Sequence, residues 1–214
     1  MHDALLAAIE GRRLLDHPFY RRWEAGTLVE GELAAYAEQY RIIEGQLPLT
    51  LAAVASALPE SSARQLVEAN LADELGHPAP HAELFESFAT AAGAGTDVPA
   101  SPATAALVDA VRAAAATDPV AALAMVAAYE VQAADIAASK GDGLRRHYGM
   151  DATGTRFWDI HVTQETAHAG WSTEALTDLG VDAGAVQSAA RLAADAWWSF
   201  LDEREALAPA GASC

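Results

Sequence analysis

Apolar residues recur along most of this chain at intervals of three and four, the spacing of helices that bury one face. ALLAAIEGRRLL starts with that period, and HPFY, with Pro18, breaks it. EGELAAYAEQYRIIEGQLPLTLAAVASAL predicts one long helix, bent near Pro48 where the ring removes a backbone hydrogen bond. SSARQLVEANLADELG opens on serines suited to an N-cap and closes at Gly76. HPAPH interrupts, AELFESFATAAG resumes to Gly93, and GAGTDVPASP is the clearest loop. ATAALVDAVRAAAA is the next helix, ending at Thr117-Asp118-Pro119, where Asp118 can cap its successor. PVAALAMVAAYEVQAADIAASKG is apolar on most faces and predicts a central helix, with GLRRHYGM as a short connector. A helix from about Ala152 to Leu179 follows, and DAGAVQSAARLAADAWWSFLDEREAL closes the chain as an amphipathic helix. No segment alternates as a strand does. The pattern predicts an all-α, single-domain bundle of about seven or eight helices over residues 1–208, with a loose tail at 209–214.

Composition reinforces this. Alanine is abundant and β-branched residues are sparse in a chain that is 52% apolar. At 214 residues the chain can bury a core of its own. A formal charge of −17 sets it against nucleic acid and anionic membranes as partners. The single cysteine, Cys214, builds neither a disulfide within the chain nor a thiolate metal site. MHDALLAAIEGRR lacks the charged start and apolar run of a signal peptide. The alanine-rich run from Ala105 to Tyr129 carries Asp109, Arg112 and Asp118, and so predicts a core helix rather than a membrane span. The cytoplasm is the default address.

Candidate chemistry lies in three segments. HVTQETAH places His161, Glu165 and His168 at i, i+4 and i+7, one face of a helix. That spacing alone is equally a polar stripe on a surface helix. DELGHPAPH adds Glu74, His77 and His81, and AAYEVQAAD adds Glu130 in the most apolar helix. Glu130 has Val126, Ala127, Ala133 and Ala134 as neighbours on its face, so it should point inward. An unpaired carboxylate there costs several kcal/mol or takes up a proton. The nearest cations in sequence, Lys140 and Arg145, are two turns or more away, and a metal resolves the cost more simply. Glutamates and histidines together suit iron or manganese, and the set exceeds what one tetrahedral zinc needs. Such a set serves two ions with a carboxylate bridging them, in the manner of helical bundles.

These segments resemble the haem-oxygenase-like di-metal oxidases, which share the TenA and PqqC fold. NLADELG and HAELFESF match the family's acidic helix and the His-containing helix start that follows it. Among them the chain is similar to the subgroup of the Chlamydia protein associating with death domains, from HPFYRRW and AYAEQY through Glu130 to SFLD. The resemblance implies ligands Glu74, His81, Glu130, His161, Glu165 and His168, with Glu165 standing where close relatives carry aspartate. It implies two metal ions, iron with iron or with manganese, and O₂ and a reductant as co-substrates. His77 is an alternative to His81, since Glu74 and His77 also share a face; Pro78 and Pro80 disrupt that turn, and the family pattern favours His81. His77 then belongs to the loop or supports the ligands from behind. Glu44 could be a seventh ligand, a substrate contact or a solvated glutamate, the last two preferred; Tyr36 and Tyr40 match aromatic positions of the group.

The subgroup makes p-aminobenzoate for folate from its own side chains, consuming a tyrosine near the N-terminus and taking nitrogen from a lysine ten residues after the mid-chain glutamate. Tyr20 and Lys140 fill those positions. Taken singly, Tyr20 also reads as a core aromatic, and Lys140 as a surface lysine opposing a helix dipole before Gly141. The expectation is an O₂-activating di-metal oxidase with a self-derived substrate. One alternative keeps the metals but oxidises an external amino acid, amine or fatty acid. A second is a non-catalytic interaction protein. TenA-type thiaminase chemistry is weaker, because it wants an active-site cysteine and Cys214 falls in the tail. A homodimer is compatible with the fold.

Overall fold

Proline at the first turn of a helix costs no hydrogen bond, because that N–H has no partner there anyway. The chain uses this repeatedly. In the computed structural model, which describes residues 1–76 and 78–208, Pro18, Pro102 and Pro119 each start a helix. The described residues form nine α-helices and no strand. They are α1 (His2–Ile9), α2 (Pro18–Ala25), α3 (Glu32–Ala57), α4 (Ser62–Gly76), α5 (His81–Ala91), α6 (Pro102–Thr117), α7 (Pro119–His147), α8 (Ala152–Asp178) and α9 (Ala183–Glu205). His77, the 209–214 tail and Cys214 lie outside the described residues.

Two expectations need correction. HPFY does not merely break a helix: His17 caps α2, its ring accepting the Phe19 N–H at 3.1 Å, which adds a helix to the bundle. GLRRHYGM is no connector, since α7 continues through Gly141 and Gly143 to His147. Tertiary packing outweighs the low helix propensity of those glycines. Other signals act as read. Asp118 caps α7 by accepting the Ala121 N–H, and Ser61 accepts the Arg64 N–H at the start of α4. Helix α3 runs unbroken through Pro48, which has no N–H to give the carbonyl of Glu44.

Two apolar clusters divide the bundle. One is aliphatic and alanine-rich, built from α1, the second half of α3, the start of α4, the first half of α7, the end of α8 and the first half of α9. The other is aromatic, built from α2, the first half of α3, α5, the second half of α7, the start of α8 and the end of α9. Along α3 the sequence passes from Tyr36 and Tyr40 to Leu51 and Val54, with Glu44 between. Along α7 it passes from Ala122–Ala128 to Ile136 and Leu144, with Glu130 between. Along α8, Phe157 and Trp158 give way to Ala175 and Leu176, with His161, Glu165 and His168 between. A polar waist therefore crosses the molecule where the two cores meet. Helix α7 packs along α8 and α9 at its centre; it is long and apolar enough to cross a membrane, yet 67% of its most apolar window is buried inside the protein.

Gly143 seats Trp23 against α7. A Cβ there would stand 2.9 Å from Trp23 Cδ1 and 3.2 Å from the Trp23 carbonyl oxygen, whereas at Gly141 the tightest neighbour is the far end of the long Arg145 side chain at 3.3 Å. Gly143→Ala should destabilise the protein by about 1–3 kcal/mol through overpacking. Gly141→Ala should instead be neutral or add up to about 1 kcal/mol from helix propensity. Urea unfolding followed by circular dichroism checks both; equal effects would show that Trp23 does not need the glycine.

Candidate active site

Buried carboxylates and imidazoles converge in the waist from four helices. Glu74 comes from α4, His81 is the first residue of α5, Glu130 lies mid-α7, and α8 supplies His161, Glu165 and His168; all six are at most 6% exposed. Glu74 Oε2 lies 2.8 Å from His81 Nδ1, and Glu74 Oε1 lies 3.5 Å from His168 Nδ1. Glu165 reaches both histidines of its own helix, at 3.9 Å from His161 Nε2 and 3.9 Å from His168 Nδ1. The His81 and His161 rings sit 4.5 Å apart. Glu130 joins through the field, raising the Glu165 pKa and itself feeling Glu74 and His168.

The fine orientation is set by neighbours. His161 Nδ1 lies 2.7 Å from the Phe157 carbonyl, so Nδ1 carries the proton and Nε2 is left with its lone pair toward the waist. Burial, with His81 beside it, lowers the His161 pKa to about 3 and keeps the ring neutral. Asn70 donates to Glu130 Oε1 at 2.7 Å, and Ser172 also hydrogen-bonds that carboxylate. Gln164 lies 3.1 Å from His81 Nε2, and Asp73 3.5 Å from His168 Nε2.

The charge balance at the waist calls for a cation. Among the described residues no hydrogen bond reaches Oε1 of Glu74, Oε2 of Glu130 or Oε2 of Glu165, and Glu74 Oε2 has only the His81 ring beside it. Burial pushes the Glu165, Glu44 and Glu130 pKa values up, and the mutual repulsion of the carboxylates pushes further. Orphaned carboxylate oxygens beside His161, whose Nε2 keeps its lone pair, and beside His81 and His168 are the donor set of an iron or manganese centre, and the residues present fit it. Glu44 belongs here too. It is 6% exposed, and one of its oxygens lies within 4.8 Å of ring nitrogens of both His81 and His161. The reading of Glu44 as a solvated glutamate is therefore wrong: it faces inward from α3.

Tyr20 and Lys140 form a second cluster in the aromatic core. Lys140 is 1% exposed, which overturns its reading as a surface lysine. Its Nζ donates to Tyr36 Oη at 2.5 Å, and Tyr36 Oη lies 2.9 Å from Tyr20 Oη. The amine sits 4.3–4.9 Å from the ring centroids of Trp158, Tyr20, Tyr36 and Tyr40. Ring faces favour a charged amine, but the missing water opposes it more strongly: burial drives the Lys140 pKa well below its ordinary value, against the pull of Glu44. Tyr40 Oη meets Tyr129 Oη at 2.8 Å. Glu44 lies in the field of both clusters, raising Tyr36 and Tyr40 while itself raised by Glu74.

A narrow cavity of about 70 Å³ runs from this junction between α3, α6, α7 and α9. Leu107, Val108, Val111 and Met125 wall it, and Glu44, Glu74, Glu130 and Glu165 stand at its inner end. Sequence reasoning missed Asn70, Tyr129, Gln164 and Ser172. Two carried a signal, since Asn70 precedes Glu74 by four and Ser172 follows His168 by four, on the same helix faces. Tyr129 and Gln164 adjoin Glu130 and Glu165 in sequence but act on other neighbours, and no spacing rule finds them.

In the metal-free chain, raised carboxyl pKa values mean that the folded state holds more protons than the unfolded state above about pH 4.3. Its stability should therefore fall as pH rises through neutrality, and Glu165→Gln should flatten that fall. Unfolding curves of chelator-treated protein across the pH range test this; a slope that the substitution leaves untouched would contradict it. Glu130→Ala and His168→Ala should lose metal while staying folded, because deleting one member of the cluster relieves the rest. Metal analysis after gel filtration reads the outcome, and full occupancy in both variants would mean the ligand set is wrong.

The description of an iron-containing redox enzyme matches residues 34–199. A 4-aminobenzoate synthase from Nitrosomonas europaea is 38% identical over 91% of this chain and 86% of its own. One from Chlamydia pneumoniae is 28% identical over 90% and 89%. The fold is that of TenA homologues: one from Pseudomonas syringae superposes with a TM-score of 0.83 at 16% identity, covering 95% of this chain and 91% of that one. Another from P. horikoshii gives 0.76 at 15%, covering 94% and 96%. An enzyme family removes the reading as a non-catalytic interaction protein. With its haem-oxygenase-like fold, its inward-facing glutamates and histidines, and a match across most of its length, the chain belongs to the iron-containing redox enzymes.

Proposed function

We propose that this protein is a 4-aminobenzoate synthase that consumes its own Tyr20 and takes nitrogen from Lys140. The observation that carries the reading is the burial of this amine beside this ring. Nζ lies 4.5 Å from the Tyr20 ring centroid and is tied through the Tyr36 hydroxyl to the hydroxyl end of Tyr20. The relatives' names supply the product, and the sequence resemblance supplies the two roles.

p-Aminobenzoate bears an amine and a carboxyl para to each other on a benzene ring. A tyrosine side chain bears a hydroxyl and a methylene in the same relation. Conversion therefore forms a Cζ–N bond and breaks the Lys140 Cε–Nζ bond, releases the Cζ oxygen as water, oxidises Cβ to the carboxyl carbon and breaks the Cα–Cβ bond, with O₂ as oxidant and an external reductant. In this reading Glu74, His81, Glu130, His161, Glu165 and His168 hold two ions, iron with iron or manganese, and Glu44 stands beside them. When bound, the pair supplies the capacity to activate O₂. The chain does the rest. Burial lowers the Lys140 pKa and so favours its nucleophilic neutral form, and Tyr36 holds its Nζ by the Tyr20 hydroxyl. Phe19, Trp23 and Trp158 exclude water from the ring to be oxidised. The apolar cavity at the waist offers O₂ a path that water does not favour.

That same cavity favours a second reading, in which the metals stay and an external apolar molecule is oxidised there, Tyr20 and Lys140 being structural. Product formed without added substrate separates the two. Wild-type protein given iron, with or without manganese, O₂ and reductant should release less than one p-aminobenzoate per chain and change mass at Tyr20 and Lys140. Tyr20→Phe and Lys140→Ala should abolish product yet still bind two metals. Intact Tyr20 alongside many turnovers on an added small molecule would select the second reading.

A further inference from the structure

We infer that the cleft between α7 and α8 is the route by which divalent metal enters the waist, separate from the apolar cavity on the other side; this rests on the metal centre proposed above. Two openings reach Glu130 and Glu165. The first is the cavity already described, whose narrow and mainly aliphatic walls suit O₂ better than a hydrated dication, with its carboxylates gathered at the inner end. The second is a surface cleft of about 680 Å³. Its floor is Glu130 and Glu165, its flanks are Ala169 and Gly170, and Asp135 and Glu174 stand exposed along it. The floor residues are 4% and 5% exposed, and each has one oxygen that meets no donor among the described residues. Carboxylates placed from the surface inward draw a dication and replace its waters in steps, so that no stage leaves it bare.

Gly170 points the same way. Glycine inside a helix costs about 1 kcal/mol relative to alanine. Nothing lies within 4 Å of where its Cβ would be, so packing does not demand it. Its absent side chain leaves open the cleft that Glu165, five residues earlier on α8, also lines.

The test follows ferrous iron alone, added without oxygen to metal-free protein, with bound iron measured after rapid desalting at successive times. Gly170→Trp fills the cleft from a position with free space around it, and should slow uptake about tenfold or more while reaching the same final occupancy. Gly170→Ala should load at the wild-type rate. Asp135→Asn combined with Glu174→Gln should slow uptake several-fold and weaken its dependence on ionic strength. Those two residues are not ligands, so this arm decides the matter if the tryptophan variant fails to fold. Wild-type uptake kinetics in Gly170→Trp, or in the double variant, overturns the route and leaves the metal centre standing. Wild-type protein that takes up no iron overturns the metal centre and the route with it.

Discussion

Glu44, Glu74, Glu130 and Glu165 are buried together at the meeting of two apolar cores, and the rest of the structure answers to that fact. Each ionised carboxylate removed from water costs several kcal/mol unless something offsets it, and like charges side by side add to the cost. Asn70 and Ser172 satisfy part of Glu130, but one oxygen each of Glu74, Glu130 and Glu165 has neither a hydrogen-bond donor nor a close ion-pair partner among the described residues. Protons or cations must make up the difference. His161 is held neutral with its Nε2 lone pair available, an arrangement suited to a metal. In the proposed reading the cation would be a structural member of the fold as well as its reagent.

The second cluster inherits its electrostatics from the first. Lys140 sits among five aromatic rings, and burial outweighs Glu44 in setting its charge. Neutralising the waist with cations would weaken the pull of Glu44 further and leave the amine still less inclined to hold its proton. In the proposed reading Glu44 would couple the metal centre to Lys140 through its field alone. Pro48, four residues after Glu44 in α3, leaves the Glu44 carbonyl without its helical donor.

Much of this was legible in the residues. Helix order follows from apolar periodicity, while the count fell short of the nine described helices, and the misread pieces have physical causes: a proline that starts α2 instead of ending α1, and Gly143 in α7, which packing against Trp23 accommodates. The isolation of Glu130 in an alanine helix pointed into the core, whereas the i, i+4, i+7 spacing of His161, Glu165 and His168 fitted a surface stripe equally well; all four are buried. Glu44 did not announce itself, because one glutamate on a long helix has the same spacing whether it faces water or the waist. The change from aromatic to aliphatic neighbours along α3, α7 and α8 is a signal that could have placed it. Hydrogen bonds between side chains distant in sequence, such as Tyr40 to Tyr129 and Lys140 to Tyr36, have no such signal.

Anomalous diffraction from crystals of the metal-loaded protein, recorded on both sides of the iron and manganese absorption edges, tests the central claim most directly. The account predicts two peaks within the waist, enclosed by Glu74, Glu130 and Glu165 and by His81, His161 and His168. Peaks confined to the surface, or a fully loaded protein with none between the two cores, would contradict it.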